Sequence, residues 1–522
     1  MKKRTLISSA VAVTAAGAIT LAGTVVAQAQ ETGDEALAAA IDAVLDDPKL
    51  ADSQSGVMVK DADTGEVIYD HNGNQRAIPA SNNKLATVAG ALEVLGEDYT
   101  FSTEVIGDSP ENGSIEGDLF LRGNGDPSLL EADFDALAAD LADLGVTKVE
   151  GDLVADDTAF DTVRHGREWA WEDLVYAYAS EISALSIGSG DDHLAGSVRV
   201  FVEPGAAAGD PAVVETVPAT DYVTIENTAA TGSSTNVSIV RDQHSNTIRV
   251  SGTVAAGSSG TLGTRAVIDP TGLVADVFAD ALAAEGIELE GDVRLHEAAP
   301  EDGEVLVSHE SATLAELTVD LQKPSNNLYA EAFLKAAGHA RTGLGTVDSG
   351  KAAVYDAIEK YGVDTGPIRL SDGSGLSRWD ELTPDMVTDL LIGVQDAPWY
   401  ETYYNALPVA CVDGTLASRM CGTAAEGNVH AKTGSLTSVS ALSGYATDAD
   451  GREYVFSVVF NDFLTSSVKG LEDQIAAAIA GQSSEATEAD IATLMSEAEE
   501  AAEPAEELPA DLECSWYEPA IC

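Results

Sequence analysis

An apolar helical run opens at Ser81 (KLATVAGALEVLG, with Leu85, Val88, Leu92 and Leu95 at helical spacing), and helical patterning returns only from about Val305. Between them, about 200 residues read as short strands and turns. A chain that changes period twice cannot be one uniform layer. Before the first helix lies a strand–turn–strand unit, VMVKDA, Asp63-Thr64-Gly65 and VIYD. After Val305 come the helical stretches LAELTVDLQKPSNNLYAEAFLKAAG and MVTDLLIGVQDA. A hairpin closes the region, VSALSGYATDADGREYVFSVVFND, turning at Asp448-Ala449-Asp450-Gly451. This is an α/β pattern, and 522 residues at about 150 per domain predict roughly three domains.

Within the strand-rich region, LADLGVTKVEGDLVA (141–155) resembles LAAEGIELEGDVRLH (282–296). Each has a helix end, a stop at Gly145 or Gly286, a short strand, and then Glu-Gly-Asp. The pair predicts one unit with related halves, interrupted by the strands VRVFVEP, YVTIEN, NVSIVRD and TIRVSGTV.

A net charge of −61 argues against nucleic acid or a polybasic membrane contact as partner and favours solubility or salt adaptation. Lys2, Lys3 and Arg4, an apolar run from Leu6 to Val26, and Ala27-Gln28-Ala29 read as a signal peptide over residues 1–29. Two fates are open to it, cleavage or retention as an anchor. Either way the expectation is an exported protein, in the cell wall, outside the cell or on the periplasmic side of the membrane. The four cysteines, Cys411, Cys421, Cys514 and Cys522, form two close pairs that suggest Cys411–Cys421 and Cys514–Cys522 bridges, although three pairings are open. No C-x-x-C or H-E-x-x-H occurs and the eight histidines are scattered, so no metal site is expected. Residues 481–522 read as an acidic tail, partly helical at most, ending in a disulfide loop.

Three short motifs stand in order: Ser81-Asn82-Asn83-Lys84, Ser325-Asn326-Asn327 and Lys432-Thr433-Gly434. Each alone is weak. Ser-x-x-Lys recurs at Ser466 to Lys469, Ser-x-Asn recurs at Ser81 and Ser234, and Arg341-Thr342-Gly343 nearly repeats the third. Their chemistry is coherent, however. At the mouth of a helix, i and i+3 share a face, so Lys84 can reach the Ser81 hydroxyl. A serine needs a neighbouring base to become a nucleophile, and a buried lysine beside a second cation, Lys432, can be that base near neutral pH. Ser325 can relay a proton to a leaving amine while Asn327 orients Lys84. An extended Lys432-Thr433-Gly434-Ser435 edge can pair with a peptide and hold a terminal carboxylate, and the N–H groups of Ser81 and Ser435 can form an oxyanion hole. The plain alternatives are helix starts at Ser81 and Ser325 and an ordinary surface strand at Lys432. No G-x-S-x-G elbow occurs, which counts against an α/β-hydrolase.

The three motifs are those of penicillin-binding proteins and β-lactamases. The blocks IPASNNKLATVAGALEVLG, LRGNGDPSL, WAWEDL, ISALSI, KPSNNLYAE, LSDGSGLSR, LPVACVDGTLASRM and HAKTGSL go further. From about residue 50 to 470, in order, the chain resembles the D-alanyl-D-alanine carboxypeptidase/endopeptidase family, the class C low-molecular-mass penicillin-binding proteins. The resemblance implies a transpeptidase-like α/β/α sandwich (30–97 and 301–480), interrupted by an insertion over 98–300. A second domain would take roughly 98–160 and 240–300, with a third nested at roughly 161–239. It implies Ser81 as acylated nucleophile, Lys84 as base, Ser325 and Asn327 in the proton relay, and Lys432 on the substrate carboxylate. It implies further a pocket for a diaminopimelate side chain, with Asp156 and Arg378 at its polar end and Leu436 and Thr437 lining it; the adjacent Asp157 leaves that assignment open by one residue. The expected reaction is hydrolysis of D-Ala–D-Ala bonds in peptidoglycan stem peptides, without a cofactor and with β-lactams as covalent inhibitors. A β-lactamase and a non-catalytic sensing or wall-binding protein are the competing readings.

Overall fold

A computed structural model of the chain describes residues 33–190 and 194–501. The segment read as a signal peptide and the second cysteine pair, Cys514 and Cys522, lie outside the described residues. At the centre is a five-stranded antiparallel sheet in the order His430–Leu436, Val439–Thr447, Glu453–Asn461, Gln54–Asp61, Val67–His71. The early hairpin and the late one therefore form one sheet, zipped at Val57 opposite Val458 and Val59 opposite Phe456. Val439–Thr447 is buried at eight consecutive positions, because both faces are covered. On one face pack a helix over residues 33–45, Lys469–Gly481 and Glu488–Ala501, against Val57, Val59, Phe456, Val458 and Phe460. Glu488–Ala501 opens the segment read as tail, and its Ile491, Met495 and Ala498 join that core. Opposite lie Lys84–Leu95, Leu314–Gln322, Asn327–Thr342 and Pro384–Gly393. Lys84–Leu95 is sheathed by neighbours, which explains why its residues from Lys84 to Leu92 are all buried.

The faint repeat is real and has three members. Glu-Gly-Asp occurs at 116–118, 150–152 and 290–292. The short strands around these copies pair in parallel at matching positions: Ser114 with Lys148 and Lys148 with Glu288, then Leu119 with Leu153 and Leu153 with Val293. Each aspartate caps the next, Asp118 Oδ1 accepting from Asp152 N and Asp152 Oδ1 from Asp292 N, both at 2.9 Å. The first copy escapes sequence comparison because no glycine-ended helix precedes it. Strands Val293–Leu295, Leu153–Asp156, Leu119–Gly123, Ser102–Ile106 and Val305–Glu310 make the resulting sheet, under helices Glu131–Asp143 and Pro270–Ala284. Strands from Ser197 to Ala266 pair among themselves in two smaller sheets. That self-pairing runs on to Ala266.

Candidate active site

Ser81 lies in a 3₁₀ turn, Ala80–Asn83, leading into the helix Lys84–Leu95. It does not cap that helix. Asn83 holds the N-cap position without a side-chain capping bond, its Nδ2 donating instead to the Asp372 carbonyl at 3.0 Å, and the Ser81 hydroxyl accepts from Lys84 Nζ at 2.8 Å. Lys84 Nζ also donates to Asn327 Oδ1 at 2.6 Å and to the Ser374 carbonyl at 2.8 Å, and is wholly buried. Burial pulls its ammonium down to about 7, against the opposing charges of Asp372, Glu331 and Asp380. A lysine so placed is partly neutral near pH 7 and can accept the Ser81 proton.

Ser325 is likewise no cap. Asn326 takes that role, its Oδ1 accepting from Leu328 N and Tyr329 N. Ser325 sits at φ +68°, a left-handed conformation costly for a residue with a Cβ, which is consistent with a hydroxyl held for use. That hydroxyl accepts from Lys432 Nζ at 2.7 Å, and Lys432 also donates to the Thr433 carbonyl at 2.9 Å. Burial, and then the Lys84 charge, hold the Lys432 ammonium well below the usual lysine range. Asn327 donates from Nδ2 to the Tyr178 carbonyl at 3.0 Å, so its Oδ1 faces Lys84.

Lys432 to Ser435 lie on the edge strand of the central sheet. A Cβ at Gly434 would come 2.6 Å from the Pro79 carbonyl oxygen and 3.1 Å from Ser81 N, so the Ser81 and Ser435 main chains run face to face. The Ser435 hydroxyl is buried with no hydrogen-bond partner, and Thr433 Oγ1 lies 2.7 Å from Thr415 Oγ1. Thr415 belongs to a loop bridged by Cys411–Cys421 (Cα–Cα 4.8 Å), whose Asp413 accepts from Lys323 Nζ at 2.8 Å, two residues before Ser325. Arg378 Nη2 donates to the Thr437 carbonyl at 2.7 Å, which joins Arg378, Thr437 and the buried Leu436 in one neighbourhood. Asp156 is differently employed. Its buried carboxylate accepts from Thr158 N, Thr158 Oγ1 and Ala299 N. Asp157 is taken up by Arg164, Thr271 and His296.

Sequence reasoning missed three buried acids behind Lys84. Glu331 Oε1 accepts from Gly373 N and Ser374 N at 3.0 and 2.8 Å. Asp372 accepts from Gly375 N at 2.7 Å, and from Ser377 N and Trp169 Nε1 at 2.8 Å each. Asp380 accepts from Ser371 N. Burial and then the Asp372 charge push the carboxyls of Glu331 and Asp380 up. Gly375, at φ +84°, lets this loop touch the Ser81 turn, since a Cβ there would stand 1.9 Å from the Ala80 carbonyl oxygen. The sequence signal was the block LSDGSGLSR, rich in small residues and following a helix. The second Ser-x-x-Lys, at Ser466, merely leads into the helix Lys469–Gly481.

The D-Ala-D-Ala carboxypeptidase 3 (S13) family matches residues 37–482. The chain is 44% identical over 452 residues to a D-alanyl-D-alanine carboxypeptidase of Actinomadura sp. (strain R39), covering 84% of each. The crystal structure of penicillin binding protein 4 (dacB) from Haemophilus influenzae fits with a TM-score of 0.73 at 26% identity, over 84% of this chain and 97% of that one. The same protein complexed with a novel β-lactam fits at 0.68 and 25%, with the same coverage. Fold and relatives together make this a hydrolase, a serine peptidase built on the mixed α/β body of penicillin-binding proteins. Within that class, the chain belongs to the D-Ala-D-Ala carboxypeptidase 3 (S13) family.

Proposed function

We propose that the protein is an exported carboxypeptidase that removes the terminal D-Ala from peptidoglycan stem peptides through an acyl-enzyme on Ser81. The observation that carries this is the buried Lys84 Nζ, held near neutrality and 2.8 Å from Ser81 Oγ. Lys84 takes the hydroxyl proton as Ser81 Oγ bonds to the penultimate D-Ala carbonyl carbon. The resulting oxyanion lies between the Ser81 and Ser435 N–H groups. The C–N bond breaks as Ser325 passes its hydroxyl proton to the departing D-Ala amine, and the proton that Lys84 took returns to the Ser325 oxygen, with Asn327 Oδ1 orienting Lys84 Nζ and Lys432 Nζ orienting the Ser325 hydroxyl. Water then cleaves the ester. Lys432, Thr433 and the unpartnered Ser435 hydroxyl hold the substrate carboxylate, whose charge brings Lys432 back toward its ammonium form. Arg378, Leu436 and Thr437 line the side-chain pocket, with Asp156 expected at its polar end. Its carboxylate must give up the bonds to Thr158 or Ala299 to serve there.

A β-lactam presents a carbonyl and a carboxylate with similar spacing and acylates the same serine. The complex of the Haemophilus influenzae relative with a β-lactam supports this. Export rests on the charged, apolar and small-residue order of residues 1–29, and is supported by a bridge at Cys411–Cys421, a bond favoured outside the reducing cytosol. Among the described residues, no helix is long and apolar enough to cross a membrane. The test is intact mass over time with benzylpenicillin, together with D-Ala release from a stem pentapeptide. A lasting adduct and D-Ala release in the wild type, both absent in Ser81→Ala, are expected. Turnover of the drug without D-Ala release would make the protein a β-lactamase, and no adduct on either protein would remove the mechanism.

A further inference from the structure

Two hydrogen bonds reach from the inserted segment into the cluster around Lys84. One is from Asn327 to the Tyr178 carbonyl. The other is from Trp169 Nε1 to Asp372 Oδ2, at 2.8 Å, between a tryptophan 8% exposed and a carboxylate fully buried. Asp372 is the hub of the loop that faces the base. Its two oxygens gather Ser377 N and Gly375 N, the latter on the same peptide bond as the Ser374 carbonyl that accepts from Lys84 Nζ. Trp169 is thus the side chain from outside the central body that pins this carboxylate, and through it the carbonyl that aims the lysine. The indole is itself wedged in place. A Cβ on Gly166 would come 2.2 Å from Trp169 Nε1, and His165 stands edge-on to the ring at 5.9 Å.

We propose that Trp169 is a positioning residue for the acylation step, through which the inserted segment holds the Lys84 base in register with Ser81. This rests on Ser81 being the acylated serine. Losing a buried hydrogen bond to a charged acceptor corresponds to a rate change of about tenfold or more when the bond orients a reacting group. The insertion is on this account part of the catalytic machinery, and movement of the segment 165–178 would detune the base without any contact to substrate.

The experiment measures the acylation rate constant, the drug affinity of the preceding complex, and the final fraction acylated, using benzylpenicillin and the full-length protein. Trp169→Phe keeps most of the ring but loses the N–H. Gly166→Ala displaces the indole while leaving both partners intact. Both are expected to acylate about tenfold more slowly, with unchanged affinity and the same final fraction acylated, whereas Trp171→Ala, an exposed neighbour, keeps the wild-type rate. A wild-type rate in both Trp169→Phe and Gly166→Ala overturns the proposal. So does a lower final fraction at an unchanged rate constant, which marks damaged folding alone. An adduct persisting in Ser81→Ala instead overturns the assignment of the serine, and is read independently of the Trp169 result.

Discussion

A lysine can serve as a base only when its proton is shared with its surroundings on nearly equal terms. At Lys84 burial supplies the push and Asp372 the largest counter-pull, leaving the group at about 7. The sign of the pH dependence follows. Below about pH 7 the ammonium form grows and Ser81 loses its acceptor, so acylation is expected to fall about tenfold per pH unit on the acid side. Asp372→Asn removes the negative charge that raises the Lys84 pKa, so the acid limb moves to lower pH, while the maximum rate drops because the 373–377 turn loses part of its anchor. Rate profiles with benzylpenicillin from about pH 5 to 9 check this, and an unmoved limb in Asp372→Asn would show that another group governs it. The five motif residues Ser81, Lys84, Ser325, Asn327 and Lys432 were legible in the sequence as three ordered motifs and through the family resemblance, helix spacing accounting only for the reach of Lys84 to Ser81. Glu331, Asp372 and Asp380 were not. Their effect on Lys84 exists only once a helix and a loop distant in sequence pack behind it. The plain helix-start readings of Ser81 and Ser325 fail for a local reason, since Asn83, two residues on, and Asn326, one residue on, occupy the N-cap positions.

At the scale of elements, the site depends on an edge strand pressed against a turn. Gly434 has no room for a methyl group, and what it meets is the Pro79 carbonyl and the Ser81 amide rather than a flexible side chain. Gly434→Ala must therefore part the strand from the nucleophile's turn. Overpacking of this kind costs about 1–3 kcal/mol, and the same displacement widens the gap between the Ser81 and Ser435 N–H groups. Thermal unfolding and acylation rate are both expected to suffer, the rate by more than tenfold. A variant with wild-type rate and melting temperature would show that the contact yields freely. The hairpins at 54–71 and 439–461 were readable because short strand-like runs flank clear turn residues, Asp63-Thr64-Gly65 and Asp448-Ala449-Asp450-Gly451, even though the strands from Val439 on are buried on both faces. Their union in one sheet was not readable from alternation, since it joins strands about 400 residues apart and only the family resemblance implied it. That the helix Glu488–Ala501 packs into the core was hidden by its composition, glutamate and alanine with few large apolar residues, although Ile491, Met495 and Ala498 fall on one face and complete a core.

Over the whole molecule, 88 acidic residues stand against 27 basic ones. Those basic groups are used locally: Arg452 with Asp34 and Asp61, Arg419 with Glu472 and Asp473, Lys60 with Asp385 and Asp389, Arg294 with Asp118 and Asp152. Most carboxylates are left to repel one another across the surface, and folding brings them closer than the extended chain does. Salt shortens the reach of that repulsion, from about 10 Å at 0.1 M to about 3 Å at 1 M. It also weakens the exposed pairs, such as Arg249 with Glu226, but a surface pair contributes about 0–1 kcal/mol and such pairs are outnumbered by unpaired acids. The two effects oppose, and the charge imbalance decides between them. The melting temperature is expected to rise by a few degrees as sodium chloride goes from about 0.05 to 1 M. The acylation rate constant should move much less, because Lys84, Ser81 and Asp372 are buried and their mutual fields pass through protein rather than solvent. Calorimetry and acylation kinetics across the same salt series separate these cases. A flat melting temperature would mean that the carboxylates already lie beyond one another's reach, whereas a rate that tracks the melting temperature would mean that the site shares the surface's sensitivity to charge.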